Sequence, residues 1–285
     1  MSRIDLSLKP TKTTLARQLG IARSSLYYRH KQADKDWHTK IDIENILSQK
    51  PYHSYGHKRL ASHLKINKKR VLRVMKLFGI KPYRRRGKKP FKKPGITPLT
   101  YPNLLLKILP VKANQIWTSD FTYLKFKDKF IYLATIMDIF TREVVGFSVS
   151  TSHGVPLIIN AFLSALNLRA PPEILHSDQG REYTSRIYTT LVSMFKIFIS
   201  MSRRASPWEN GYQESFYSQF KVDLGDPNRF DSLGELVAEI YQTINAYNTE
   251  RIHTSLKMPP RQFAELNAIL NSSINSGSQV RERVS

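Results

Sequence analysis

The pattern of apolar and polar positions changes character near residue 112. Beyond it come three β-rich runs, Trp117 to Phe126, Phe130 to Phe140 and Glu143 to Ser150. The tight connectors between them, Lys127-Asp128-Lys129 and Thr141-Arg142, predict a meander of antiparallel strands. A helical run follows over about Val155 to Leu168, then a short apolar strand at Glu173 to His176. A helix from about Ser185 to Phe195, a strand at Ile197 to Met201 and helices at about 208–222 and 233–249 complete the series. This order predicts an α/β domain over residues 113–265, with a mixed five-stranded sheet flanked by helices. Residues 266–285 are mostly polar and are expected to form a disordered tail.

Ahead of that domain the pattern is all-α. Leu15, Ala16, Leu19, Gly20, Ile21 and Leu26 have the spacing of a helix-turn-helix within residues 1–34. Its second helix would expose Arg23, Ser24 and Ser25. A second helical unit, residues 35–80, opens with an amphipathic segment at Ile41 to Leu47 and continues through Tyr55-Gly56-His57-Lys58-Arg59-Leu60. In its last helix Val71, Leu72, Val74, Met75 and Phe78 recur at helical spacing, with Lys68, Lys69, Arg70, Arg73 and Lys76 between them. One face packs and the other is expected to meet DNA. Residues 81–112 are a basic linker: Arg84, Arg85, Arg86, Lys88 and Lys89 are suited to lie along a phosphate backbone. Pro94, Pro98, Pro102 and Pro110 interrupt any regular element there.

Charge sharpens this picture. The 285 residues carry a formal net charge of +23, which points to a polyanionic partner, most often nucleic acid; with the helical units, double-stranded DNA is the partner expected. From Asn45 through Ser119 there is no Asp or Glu at all, so the excess is concentrated on the helical units and linker. The chain has no cysteine, which excludes disulfides, thiolate zinc sites and cysteine nucleophiles. Without a signal-peptide pattern, or an apolar stretch near the ~20 residues a membrane span needs, a cytoplasmic, nucleoid-associated protein is expected, with no membrane partner.

Three carboxylates stand where the predicted order can bring them together. Asp120 lies in the first strand, Asp178 follows the fourth, and Glu214 sits on the helix beginning near Trp208, with 35 residues between the last two acids. Hard oxygen ligands suit Mg²⁺ or Mn²⁺, and a pair of such ions can serve an in-line displacement at phosphorus. Without a cation the clustered carboxylates would raise one another's pKa. Asp138, near a turn, and Glu209, early in its helix, have structural explanations instead. Lys221 is two helical turns beyond Glu214 and projects from nearly the same face.

Three blocks, Trp117-Thr118-Ser119-Asp120-Phe121-Thr122-Tyr123, His176-Ser177-Asp178-Gln179-Gly180 and Glu214 to Lys221, resemble the catalytic blocks of the retroviral-integrase superfamily. They look most like the second-frame (OrfB) DDE transposases of copy-out, paste-in insertion sequences. The likeness extends to Ser200-Met201-Ser202, to Trp208-Glu209-Asn210 and to Tyr247-Asn248 through Arg251, His253, Pro259 and Phe263. Upstream it reaches Tyr55-Gly56 and Asn67 to Val71, and Glu209 departs from it, since the family usually has Asp there. The resemblance implies a ribonuclease-H-like core, metal binding by Asp120, Asp178 and Glu214, and a DNA contact at Lys221. It also implies metal-dependent strand cleavage and strand transfer by a homo-oligomer, and a first-frame (OrfA-type) protein as fusion or partner. The rival readings are a DNA-binding regulator that no longer cuts, and a nuclease that hydrolyses without strand transfer.

Overall fold

The computed structural model describes residues 11–27, 31–83, 101–203 and 206–270. Strand β1 (Ile116–Phe126) pairs antiparallel with β2 (Lys129–Asp138), and β2 with β3 (Val144–Ser150). Two short strands, β4 (Ile174–Ser177) and β5 (Phe198–Met201), add in parallel on the other side of β1, giving the order β3-β2-β1-β4-β5. This is the mixed five-stranded sheet expected, with each strand within two residues of its predicted start. Both faces are covered, which is why the strands read as long apolar runs. Ala134 and Ile136 of β2 pack with Leu157, Phe162, Tyr188 and Val192 on one face. Ile131, Leu133 and Met137 pack with Phe216, Phe220, Ile240 and Ile244 on the other.

The helical run after β3 becomes α5, Val155–Leu166, numbered after four helices of the N-terminal part. It lies so close to β3 that a Cβ on Gly146 would stand 2.5 Å from the Ala165 nitrogen and 2.6 Å from the Ala161 oxygen. Only glycine fits there. Helix α6 (Arg186–Met194) is capped by Ser185, and α8 (Leu233–Thr249) by Ser232. Between them α7 (Gly211–Leu224) follows a 3₁₀ turn at Pro207–Asn210 that includes Glu209. A further helix occupies residues 260–270, so the expected tail at 266 begins inside a helix, and residues 271–285 lie outside the described residues. Among the described residues no helix is long and apolar enough to cross a membrane.

The N-terminal part comprises α1 (Lys12–Gln18), α2 (Lys31–Leu47), α3 (His57–His63) and α4 (Lys68–Leu77). The second helix expected after Gly20 is instead a 3₁₀ turn, Arg23–Tyr27. Helix α2 starts at Lys31, ahead of the expected boundary between residues 34 and 35. It packs with α3 and α4 around Ile43, Tyr55, Leu60, Val71 and Val74. Part of the expected linker belongs to the core, since Leu104, Leu105 and Ile108 pack on Ile116, Ile139 and Ile174. Residues 84–100 lie outside the described residues.

The three-helix unit is bound to the core through α7 by a buried polar junction. Arg251, 2% exposed, pairs at 2.9 Å with Asp223 of α7, 5% exposed, and donates to the Pro51 oxygen at 3.0 Å. The Ser54 hydroxyl donates to Asp223 at 3.0 Å, and Gln219 donates to Ser54 at 3.0 Å. Arg59 Nε reaches the Ile252 oxygen, while the Ile252 N–H donates to the Tyr55 hydroxyl. Burial outweighs the attraction of the pair: the Asp223 carboxyl is pushed up, and Arg251 is pushed down to about 10. Such a pair orients the two bodies more than it stabilises them.

Candidate active site

The parallel register of β1 and β4 sets the first two acids level. The last pair is Thr118↔His176, so two residues further along each chain stand Asp120, paired across β1 to Thr135, and Asp178, just past the end of β4. Each carboxylate is oriented by backbone: Asp120 Oδ1 accepts the Phe121 N–H and Asp178 Oδ1 the Gly180 N–H, both at 2.8 Å. The second oxygen of each makes no hydrogen bond to the described residues. A Cβ at Gly180 would come within 2.9 Å of Asp178 Oδ1, so any larger residue there would push that carboxylate aside.

Helix α7 brings the third acid. Gln213 and Tyr217, one turn apart on its buried face, pin it to the sheet. The Gln213 side chain donates to the Thr118 oxygen at 2.7 Å and accepts from the Thr135 hydroxyl at 2.9 Å. The Tyr217 hydroxyl donates to the main-chain oxygen of Asp120 at 2.6 Å. With that register set, Glu214, exposed in the first turn, lines a cleft of about 870 Å³ together with Asp120, Thr122, Ser218 and Lys221. The opposite wall comes from the helical unit, through Ser54, His57, Lys58, Arg59 and Tyr83.

Burial and charge act together on the first acid. The Asp120 carboxyl is raised from 3.8 to about 7, chiefly by burial, then by the charge of Asp178, with Glu214 adding to it and Lys221 opposing it. Asp178 is also raised, by burial and by Glu182. Glu182 is thus a fourth acid near the site, also within 3.3 Å of His153. It was not anticipated, although its place two residues after Gly180 in the same turn was a usable signal. Gln213 and Tyr217 were missed as well, because nothing in a helical spacing reveals what a side chain will meet across a sheet. Among the described residues no three His, Cys, Asp or Glu side chains stand close enough to cage an ion by themselves.

Other predicted residues fall in different places. Asp138 is a turn acid: it accepts N–H bonds from Asn114, Phe140 and Thr141. Glu209 accepts from Asn103 and from the Arg203 N–H. Lys68 and Lys69 are exposed at the start of α4. Arg70 instead turns to α2, bonding the Lys35 oxygen and the Thr39 hydroxyl, and Arg73 pairs with the buried Asp36. Arg23 and Ser24 are exposed on their 3₁₀ turn. Lys221 stands 5.3 Å from the Tyr123 ring and shares the cleft with Glu214. Arg84, Arg85, Arg86, Lys88 and Lys89 lie outside the described residues.

Comparison with known proteins gives the family. Two families, both described as integrase core domain, match residues 110–207 and 196–260. The transposase for insertion sequence element IS904 of Lactococcus lactis subsp. lactis is 35% identical over 207 residues, covering 71% of this chain and 82% of its own. The transposase for insertion sequence element IS629 of Shigella sonnei is 24% identical over 267 residues, 88% of this chain and 90% of its own. Among solved structures, the HTLV-2 integrase catalytic core domain in complex with magnesium is 21% identical with a TM-score of 0.43, covering 54% of this chain and 98% of that one.

Proposed function

Since the chain belongs to the insertion-sequence transposases built on an integrase core, we propose that Asp120, Asp178 and Glu214 are the carboxylates at which it cuts and joins DNA strands. The observation that carries this reading is geometric: the register of β1 and β4 sets Asp120 level with Asp178, and Glu214 shares one cleft with Asp120 and Lys221. Their oxygens fit a hard divalent cation, and the unbonded second oxygens of Asp120 and Asp178 are available to it. A pair of Mg²⁺ or Mn²⁺ ions, when bound, supplies Lewis acidity at phosphorus and a more acidic attacking hydroxyl. Water and phosphate oxygens of DNA would complete the coordination of such ions.

The chain's own part is positioning. Gln213 and Tyr217 hold Glu214 opposite Asp120, while Lys221 holds a DNA phosphate across the same cleft. Lys68, Lys69, Arg23, Ser24 and the basic run at residues 84–89 supply further backbone contacts. Water first cleaves a strand at the element's end; the freed 3′-hydroxyl then attacks a second phosphodiester. Joining two ends requires more than one copy of the chain, and a first-frame protein supplies terminal-repeat recognition.

The test is incubation with DNA bearing the element's ends and Mg²⁺ or Mn²⁺, read as 3′-end cleavage and joined products. Asp178→Asn and Glu214→Gln are expected to lose at least about 1000-fold, or ~4 kcal/mol of transition-state stabilisation. Products equal to wild type in either variant would overturn the assignment. DNA binding with no metal-dependent product in the wild type would favour a regulator.

A further inference from the structure

The motif from Tyr247 through His253 takes no part in the chemistry above, yet it frames a second cavity, of about 400 Å³. This cavity shares Arg59 and Gln219 with the catalytic cleft and reaches Ser215, the residue after Glu214. Arg142 forms its cationic wall. Among the described residues the Arg142 guanidinium makes no hydrogen bond or ion pair, and its Nε is buried without a partner. It is stacked on the Tyr212 ring, 4.1 Å from the centroid, and its backbone is held at φ +62°, which disfavours a residue with a Cβ. The Tyr247 hydroxyl donates to the Arg142 oxygen at 3.1 Å, fixing that turn.

Arg59 likewise has no carboxylate partner among the described residues. The one acid in the lining, Glu209, is already engaged by Asn103 and Arg203. The local potential is correspondingly positive: His253 is pushed down to about 4, first by burial and then by Arg142, Arg59 and Arg251. Two half-buried guanidinium groups without counter-charge, beside a cleft that handles DNA, are a site prepared for an anion. Planar guanidinium forks match the oxygens of a phosphate.

We propose that this cavity binds a phosphate group of the DNA strand that continues past the catalytic cleft, with Arg142 and Arg59 as its ligands. The proposal rests on the DNA-cutting function above, but its test needs no cutting. The full chain, labelled at histidine and kept in chelator, is titrated with inorganic phosphate and separately with a short duplex of arbitrary sequence. The His253 ring resonances are followed against pH. Both probes are expected to raise the His253 pKa, because a phosphate offsets the arginine charge around the ring.

Arg142→Gln is expected to abolish that shift and weaken duplex binding by at least about fivefold, as befits one charge-assisted contact. Ser255→Glu, at an exposed lining residue that does not threaten the fold, should also abolish the shift. An unmoved His253 with the duplex, or an unchanged shift in Arg142→Gln, would overturn the proposal. A response to inorganic phosphate alone would make this a free-phosphate site and overturn the DNA assignment. Since metal is absent, a protein that passes this test but cuts no DNA sinks only the catalytic reading. One that cuts DNA with His253 unmoved sinks only the arginine cavity.

Discussion

Asp120 is the residue through which the site's electrostatics become measurable. Its carboxyl is raised from 3.8 to about 7. A group raised on folding contributes stability that is full below its unfolded pKa and lost as pH rises through its folded one. In metal-free protein the contribution is therefore present at pH 3.8 and gone above about 7. Melting temperatures measured in chelator across that window should fall in wild type relative to Asp120→Asn, and Mg²⁺ at the upper end should restore wild type alone. Parallel curves would mean that Asp120 ionises normally. At this scale the sequence was legible where chemistry recurs as a motif: Asp178 and Glu214 are held by spacing and flanking residues. Glu182 carried a weaker signal, its place two residues after Gly180, because its approach to Asp178 depends on how the turn folds.

At the scale of elements, α7 does two jobs that one amphipathic pattern cannot express. Its apolar residues Phe216 and Phe220 enter the core, while Gln213 and Tyr217 meet the backbone of β1 and the Thr135 hydroxyl. Removing the Tyr217 hydroxyl leaves the main-chain oxygen of Asp120 without that donor. Tyr217→Phe is thus expected to cost about 1–3 kcal/mol in denaturant unfolding. Cleavage should fall further than stability explains, since Glu214 loses its register; a variant that cuts normally would show that Gln213 alone sets it. The strands were readable because a sheet covered on both faces must be apolar on both. The turn at Arg23–Tyr27 was not, because residues such as Ser24 and Ser25 have little intrinsic preference for a helix and spacing alone does not reveal it.

At the scale of the whole molecule, the three helices of the second unit and the catalytic core are joined by partners nearly 200 positions apart, Ser54 with Arg251. No local pattern announces such a meeting, so the sequence yielded the parts and not their docking. The buried pair at its centre predicts an asymmetry. Arg251→Met or Asp223→Leu alone strands a buried charge and is expected to cost about 3–5 kcal/mol, whereas the two together should cost much less. A double-mutant cycle by denaturant unfolding checks this, and additive single costs would contradict it.

The docking also fixes a length. Because the wall of the cleft formed by His57 and Lys58 is bolted to the helix that carries Glu214, the protein works as a ruler. On the proposed function, the distance from DNA held by the helices to the bond that is cut is set by the junction and not by the length of residues 84–100. Adding a few residues in that stretch should leave the cleavage position on DNA unchanged to the nucleotide, as a sequencing gel would show. Loosening the junction at Arg251 should blur that position while leaving the chemistry at each cut intact.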